Sequence, residues 1–311
     1  MKRMLFIYNP NAGMGAMKGS LSDIVDIFVK GGYEVTIYPT QACQDALRKT
    51  MSFTEDYDLL VCSGGDGTLD EVVTGMSRRE KKIPIGYIPA GTTNDFAAGL
   101  QISKHNLEAA RTAVEGVPFT CDVGAFNDDF FVYIAAFGLF TDVSYETSQS
   151  RKNTLGYLAY LLEGAKRIFN IPSYHLAVTH DGEKIEDDFV YGMITNSRSV
   201  GGFKGITGPG VIFDDGVFEV TLIKTPKNPI EVNEIITSIL AKQIDTRHMY
   251  SFKSGCVTFE SEEAIPWTLD GEFGGTHKKV VIENKMKSLQ IMINKDAKEQ
   301  FALEKKEAEE K

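Results

Sequence analysis

The chain has 311 residues, enough at about 150 per domain for two domains, each with its own core. Apolar types make up 42% and charged types 24%, a globular balance that excludes global disorder. Lys plus Arg total 33 against 43 Asp plus Glu, a formal charge of −10. That balance speaks against nucleic acid as a partner, because such binding rests on Lys and Arg neutralising phosphates.

Arg3 to Tyr8 reads as a strand, broken by the glycine-containing run Asn9-Pro10-Asn11-Ala12-Gly13-Met14-Gly15. Ser20 to Lys30 carries a helical apolar stripe and stops at Gly31-Gly32. Glu34 to Tyr38 reads as a strand, Gln44 to Met51 as a short helix, and Leu59 to Cys62 as a strand buried on both faces. Leu69 to Met76 is a helix, Ile83 to Ile88 a strand and Leu107 to Glu115 a helix. This strand–helix alternation predicts a doubly wound α/β domain.

After Pro118 the rhythm changes. Cys121 to Ala125 and Phe130 to Ala136 flank Asn127-Asp128 as a hairpin. A helical stripe runs from Leu155 to Ile168 inside the helix Thr154 to Phe169, with Arg151, Lys152, Lys166 and Arg167 around it. It reads as a core helix of the second domain, or as a membrane-facing lip. From Tyr174 to Ile293, strand-like runs separated by turn signals predict an antiparallel β-sandwich, interrupted by a helix over Ile230 to Lys242. The Glu/Lys-rich tail Lys295 to Lys311 reads as a solvated helix or a frayed end. The expected domains are residues 1–122, joined by the tail 295–311, and residues 123–294.

The longest uncharged apolar stretch, Phe130 to Phe140, has eleven residues. A spanning helix needs about 20, so no bilayer crossing is expected. Lys2 and Arg3 precede an apolar run that ends at Asn9-Pro10, too short for a signal-peptide core. A cytoplasmic location is expected. Cys43, Cys62, Cys121 and Cys256 lie far apart without a CxxC pair and read as reduced structural thiols. His105, His175, His180, His248 and His277 show no ligand spacing.

The strongest local signal is Gly64-Gly65-Asp66-Gly67-Thr68, between a buried strand and a helix. Glycines there let backbone N–H groups approach an anion, and the helix adds its positive end. The loop has no Lys, and the nearest basic residues, Arg78 and Arg79, lie beyond the helix. A polyphosphate would face Asp66 without a cationic side chain, which calls for Mg²⁺ held by Asp66 directly or through water. Pro89-Ala90-Gly91-Thr92-Thr93-Asn94-Asp95 again follows a strand and opens a helix. Asp95 therefore sits at the same sheet edge, as a second acidic helper or as a helix N-cap. Asn9 and Thr40 follow strands at that edge, and Asp122 stands at the domain junction.

Ser63 to Val73 (SGGDGTLDEVV), Pro89 to Ala97 (PAGTTNDFA) and Leu269 to Glu272 (LDGE) together resemble the bacterial soluble diacylglycerol kinase family. That family is grouped with sphingosine, ceramide and NAD kinases. The resemblance implies a Mg²⁺-ATP-dependent lipid kinase, with diacylglycerol converted to phosphatidic acid as the default reaction. It implies an active site in the cleft between a nucleotide-binding domain and a β-sandwich domain, and peripheral contact with a membrane surface. By motif match Asn9, Pro10, Asn11, Ala12, Gly13, Thr40, Gly64 to Glu71, Thr92 and Asn94 would line the nucleotide. Within Gly64 to Glu71 these are Gly64, Gly65, Asp66, Gly67, Thr68, Leu69, Asp70 and Glu71. Asp66, Asp95 and Asp122 would form the network around a catalytic Mg²⁺. Asp215 and the carbonyls of Ile212 and Val217 would hold a structural Mg²⁺, where an ordinary Asp-Gly turn is the plainer reading. Asp270 and Glu272 would supply the catalytic base, on one face if the segment is extended. Trp267 and Phe273 read as core or cleft wall. Asp70 stands where the family usually has Asn, adding negative charge beside the phosphates. A soluble-substrate kinase resembling NAD kinase and a non-catalytic nucleotide- or lipid-binding protein are the competing readings. A homodimer is left open.

Overall fold

The structure, a computed structural model, describes residues 1–138, 172–200, 203–204, 210–241 and 245–310. The helix expected over Thr154 to Phe169 lies outside the described residues. The chain divides into two compact units. The first comprises Met1–Val123, Ile212–Asp214 and Met286–Lys311, the second Gly124–Val211 and Asp215–Lys285.

The first unit is built on parallel strands β1 (Lys2–Tyr8), β2 (Tyr33–Pro39), β3 (Leu59–Gly64) and β4 (Ile85–Pro89). β1 pairs with β2 on one side and β3 on the other, and β4 pairs with β3. All of β3 and β4 is buried, which is why both read as continuous apolar runs rather than alternating ones. The helices are α1 (Ala16–Lys30), α2 (Asp45–Ser52), α3 (Asp66–Ser77), α4 (Asp95–Gly99) and α5 (Asn106–Glu115). α1 packs with α5 and α2 with α3. Right-handed crossovers put α1 on one face and α2 and α3 on the other, because the chain reverses its direction across the sheet after β2. β1 and β3 therefore flank a topological switch point, where α/β sheets bind ligands beyond the carboxyl ends of their strands.

The second unit is rich in antiparallel pairs. β5 (Val117–Phe126) meets β6 (Asp129–Phe131) across the Asn127-Asp128 turn, as the hairpin reading required. The second arm is not one strand, however. It breaks at Val132-Tyr133 before β7 (Ile134–Gly138), for a reason that lies at the site described below. β8 (Tyr174–His180), β9 (Glu183–Thr195), two short strands β10 (Ser199–Val200) and β11 (Phe203–Lys204), β12 (Phe218–Lys224), β13 (Met249–Ser254) and β14 (Cys256–Leu269) follow. β15 (Glu272–Ile293) supplies residues to both units. The long strands exchange partners midway: β9 pairs first with β8, then with β7 and β12. Likewise β14 pairs first with β8 and then, after an irregularity past Glu260, with β7. Such switching lets one strand serve two layers. Phe126, Phe131, Phe137, Phe189, Phe218 and Trp267 fill the interior of this unit. α6 (Pro229–Leu240) is opened by Asn228, whose side chain accepts from the N–H groups of Ile230 and Glu231.

The tail is helical, one of its two expected forms, but it is not solvated throughout. Lys295–Glu309 is a helix, α7, that docks on the first unit with Phe301 buried against Phe119 and Phe213.

Candidate active site

The loops at the carboxyl ends of β1, β2, β3 and β4 are tied to one another. Asn9 N–H donates to the Ser63 carbonyl (2.8 Å), Thr40 N–H to Tyr8 (2.9 Å), and Ala90 N–H to Gly64 (2.7 Å). The Asn9 side chain accepts the N–H of Asn11 at 2.9 Å and turns its own loop over the switch point.

The loops after β3 and β4 pack backbone to backbone. A Cβ on Gly91 would lie 2.6 Å from the Cα of Gly65 and 2.8 Å from Asn94 Oδ1. No side chain larger than hydrogen fits there without moving a loop. Asp66 opens α3, and its Oδ2 accepts the N–H of Asn94 at 2.9 Å. The first acidic residue is thereby brought to the residue preceding the second, Asp95, which is 2% exposed. Asp95 occupies the first helical position of α4, not its N-cap. The cap position is Asn94, in the left-handed region (φ 53°), and its side chain makes no capping bond.

Asn94 was expected to line the nucleotide, but its side chain is used inward. Oδ1 accepts Gly91 N–H (3.0 Å) and Nδ2 donates to Gly91 O (2.8 Å), closing the loop on itself. Tyr87, which the sequence reading missed, completes the clamp. Its buried hydroxyl lies 3.2 Å from Gly64 O and 3.4 Å from Asn94 Oδ1. Burial, with the Asp66 charge nearby, holds the phenol well above its usual range, so it stays a donor. The signal was available: a Tyr in an otherwise apolar buried strand must find a partner for its O–H.

Glu71 departs from expectation too. Its carboxylate accepts Gln44 N–H (2.7 Å) and Ala46 N–H (3.0 Å), capping α2 from α3. Gln44, at the cap position of α2, is left-handed and supplies no side-chain cap. Arg79 binds the other end of α2, donating to the carbonyls of Thr50, Met51 and Phe53 while stacking 3.6 Å over the Phe53 ring. Asp70 lies one turn after Asp66 and so shares its helix face.

Asp122, on β5, is 1% exposed. Its N–H donates to Phe213 O and its Oδ1 accepts Lys287 N–H, each at 2.7 Å. Asp66 and Asp95 suit a Mg²⁺ ion, which takes one or two carboxylates and keeps several waters. Among the described residues no three His, Cys, Asp or Glu side chains form a ready-made ligand set. A cation here would be held largely through water. The turn at Asp215 is different. Oδ1 accepts Val217 N–H (3.2 Å), and Oδ2 faces the Lys253 ammonium at 3.9 Å. Lys253 also sits 3.0 Å from Glu219. Burial pushes the Glu219 carboxyl up to about 7 even against that ammonium. Lys253 thus stands between the carboxylates of Asp215 and Glu219.

The LDGE segment is not extended. Asp270 (φ 50°) and Gly271 (φ 88°) are the two turn residues between Leu269 and Glu272, which pair directly. Positive φ at both central positions is what a type I′ hairpin turn demands. Asp270 and Glu272 therefore do not share a strand face. Asp270 is 3% exposed, and its carboxylate accepts N–H groups from Val132, Tyr133 and Ile134. Those bonds explain the break between β6 and β7, since the donors turn to the carboxylate instead of a neighbouring strand. They also favour the ionised form. Glu272 is exposed, Phe273 is 55% exposed rather than core, and Trp267 is 1% exposed within the core.

Several of the five histidines have structural partners. His175 pairs with Asp188, His248 with Glu234, and His180 stacks on Phe252. Burial raises the thiols of Cys62 and Cys121, which keeps them protonated.

Residues 3–126 match the diacylglycerol kinase catalytic domain family. A diacylglycerol kinase of Bacillus subtilis (strain 168) is 31% identical over 277 residues, covering 88% of this chain and 91% of that protein. One of Staphylococcus carnosus (strain TM300) is 33% identical over 276 residues, covering 88% and 90%. The chain belongs to the diacylglycerol kinase family. A solved Bacillus anthracis str. Sterne protein assigned to these kinases superposes with a TM-score of 0.82 at 26% identity, over 95% of this chain and 96% of that one. This kinase is thus an ATP-dependent lipid kinase with an alcohol as acceptor. No described helix is long and apolar enough to cross a membrane.

Proposed function

We propose that this kinase transfers the γ-phosphoryl group of ATP to the free hydroxyl of diacylglycerol, giving phosphatidic acid, at a membrane surface that it contacts peripherally. The observation that supports the nucleotide assignment is the apposition of Gly65 and Gly91 at the switch point, with Asp66 bridging the two loops. In phosphoryl transfer the protein mainly positions reactants and stabilises charge. The amides opening α3 face the place where a phosphate is best received, and Gly65 at the cap position offers no side chain to compete for them. Asn9 to Gly13, Thr40 and Thr92 line the same edge, while Asn94, Tyr87 and Glu71 hold the loops in shape. Asp66 and Asp95, with Asp122 in support, would hold Mg²⁺, which when bound neutralises phosphate oxygens.

Proton acceptance from the lipid hydroxyl is assigned to the Asp270–Glu272 turn. Asp270 offers a carboxylate fixed in orientation, Glu272 an exposed one. The reading is tested with radiolabelled ATP and mixed micelles of a lipid panel containing diacylglycerol. Label in the organic phase with diacylglycerol supports it. Label only on soluble acceptors, or none transferred, overturns it.

A further inference from the structure

We propose that the C-terminal helix α7 is a positioning element for Asp122, acting through the three residues Ile212–Asp214 that the first unit takes from the middle of the chain. The inference rests on the reading of Asp122 as part of the cation network. Asp122 has no freedom of its own: its N–H is held by Phe213 O and its carboxylate by Lys287 N–H. Lys287 precedes α7 by one strand end, and Phe213 is clasped by α7 itself. The Phe301 ring lies 5.4 Å from Phe213 and 5.4 Å from Phe119, which precedes Asp122 on the same strand. Lys305 then reaches the next residue, 2.7 Å from Asp214 Oδ1 and 3.3 Å from its carbonyl. Lys298 anchors the helix to Pro118 O at 2.8 Å.

These contacts hold both the strand that leads into Asp122 and the segment whose carbonyl accepts its N–H. A helix that served only to cover apolar surface would need Phe301 and Ala297 but not the Lys305–Asp214 pair, whose side chains are only 27% and 19% exposed. Releasing that pair lets residues 213–214 slide, and the peptide of Asp122 moves with the carbonyl that holds it. The expected defect is therefore in how nucleotide and cation cooperate, not in the nucleotide pocket itself.

The test uses the purified full chain and calorimetric titration of ADP with and without Mg²⁺. The wild type should bind ADP more tightly with Mg²⁺. Lys305→Met should lose that tightening by about five-fold or more, the low end of coupling between sites, while Mg²⁺-free ADP affinity stays unchanged. Lys305→Arg should restore it. Phe301→Leu, which keeps an apolar side chain, should show the same defect and serves if Lys305→Met does not fold. Unchanged tightening in both Lys305→Met and Phe301→Leu overturns the inference. So does a parallel loss of ADP affinity with and without Mg²⁺, the mark of a merely structural helix. Absence of any Mg²⁺ effect in the wild type overturns the cation-network reading, and the inference with it.

Discussion

Gly91 is glycine because Gly65 stands where its β-carbon would be: the gap to the Cα of Gly65 is 2.6 Å, and the obstacle is backbone. Gly91→Ala must therefore push the loops after β3 and β4 apart. Overpacking of this kind costs about 1–3 kcal/mol, and KM for ATP should rise with it. Chemical denaturation and steady-state kinetics check both; a variant with wild-type stability and KM would mean that the loops are not in contact.

Asn94 separates two effects that its substitutions confound differently. Asn94→Gly removes the bonds to Gly91 but tolerates the left-handed backbone, whereas Asn94→Ala adds the conformational cost. The Ala variant should be less stable than the Gly variant by about 1–2 kcal/mol in urea melts. Equal stability would show that position 94 leaves the left-handed region once its side chain is gone.

Helix α2 should respond at both ends. Glu71→Ala removes its external cap and should cost about 0.5–2 kcal/mol while leaving KM for ATP nearly unchanged. A large KM effect with full stability would return Glu71 to the nucleotide. Asp45 adds a pH dependence. Its carboxyl is held below the usual 3.8, first by the Gln41 N–H and with help from Tyr38 and Arg48. A lowered value in the folded state means stability that is complete above that value and lost as pH falls through the lower one. The acid limb of a stability–pH curve should flatten in Asp45→Asn, and an unaltered limb would remove Asp45 from the account.

The Asp270 turn gives the sharpest contrast. Asp270→Asn turns an amide N–H₂ toward backbone donors and should destabilise by about 1–3 kcal/mol, with a loss of kcat. Glu272→Gln, at an exposed position, should keep its stability within about 0.5 kcal/mol. If Glu272 is the proton acceptor, that variant should still lose kcat by roughly 10²-fold. Wild-type kcat in Glu272→Gln assigns the role to Asp270, and wild-type kcat in both removes it from the turn.

The alternation of strands and helices in the first unit was legible because buried parallel strands and amphipathic helices differ in period. Gly64 to Thr68 and Gly91 were legible because clustered glycines between strand and helix have few structural uses. The work of Glu71 and Tyr87 was not, since each acts on a backbone group brought near only by folding. The Asp-Gly pair of LDGE is a local turn signal, but the burial of Asp270 against the N–H groups of Val132, Tyr133 and Ile134 leaves no local trace. The tail reads as solvated because Phe301 and Leu303 are its only large apolar residues, and Phe301 alone is buried, which leaves no periodic trace.

The parallel pairing of Ile85 with Ile291 joins β4 to a segment made some two hundred residues later. At about 5–20 residues per second of synthesis that is a wait of about 10–40 s, during which β4 has no neighbour on its outer side. The nascent chain must shelter that edge until the segment around Ile291 has been made, since an open strand edge templates aggregation. A fragment ending at residue 126, although it contains every loop proposed to hold the nucleotide, should be poorly soluble alone and rescued by residues 286–311 supplied as a separate peptide. If the fragment is soluble without the peptide, the edge needs no such guardian.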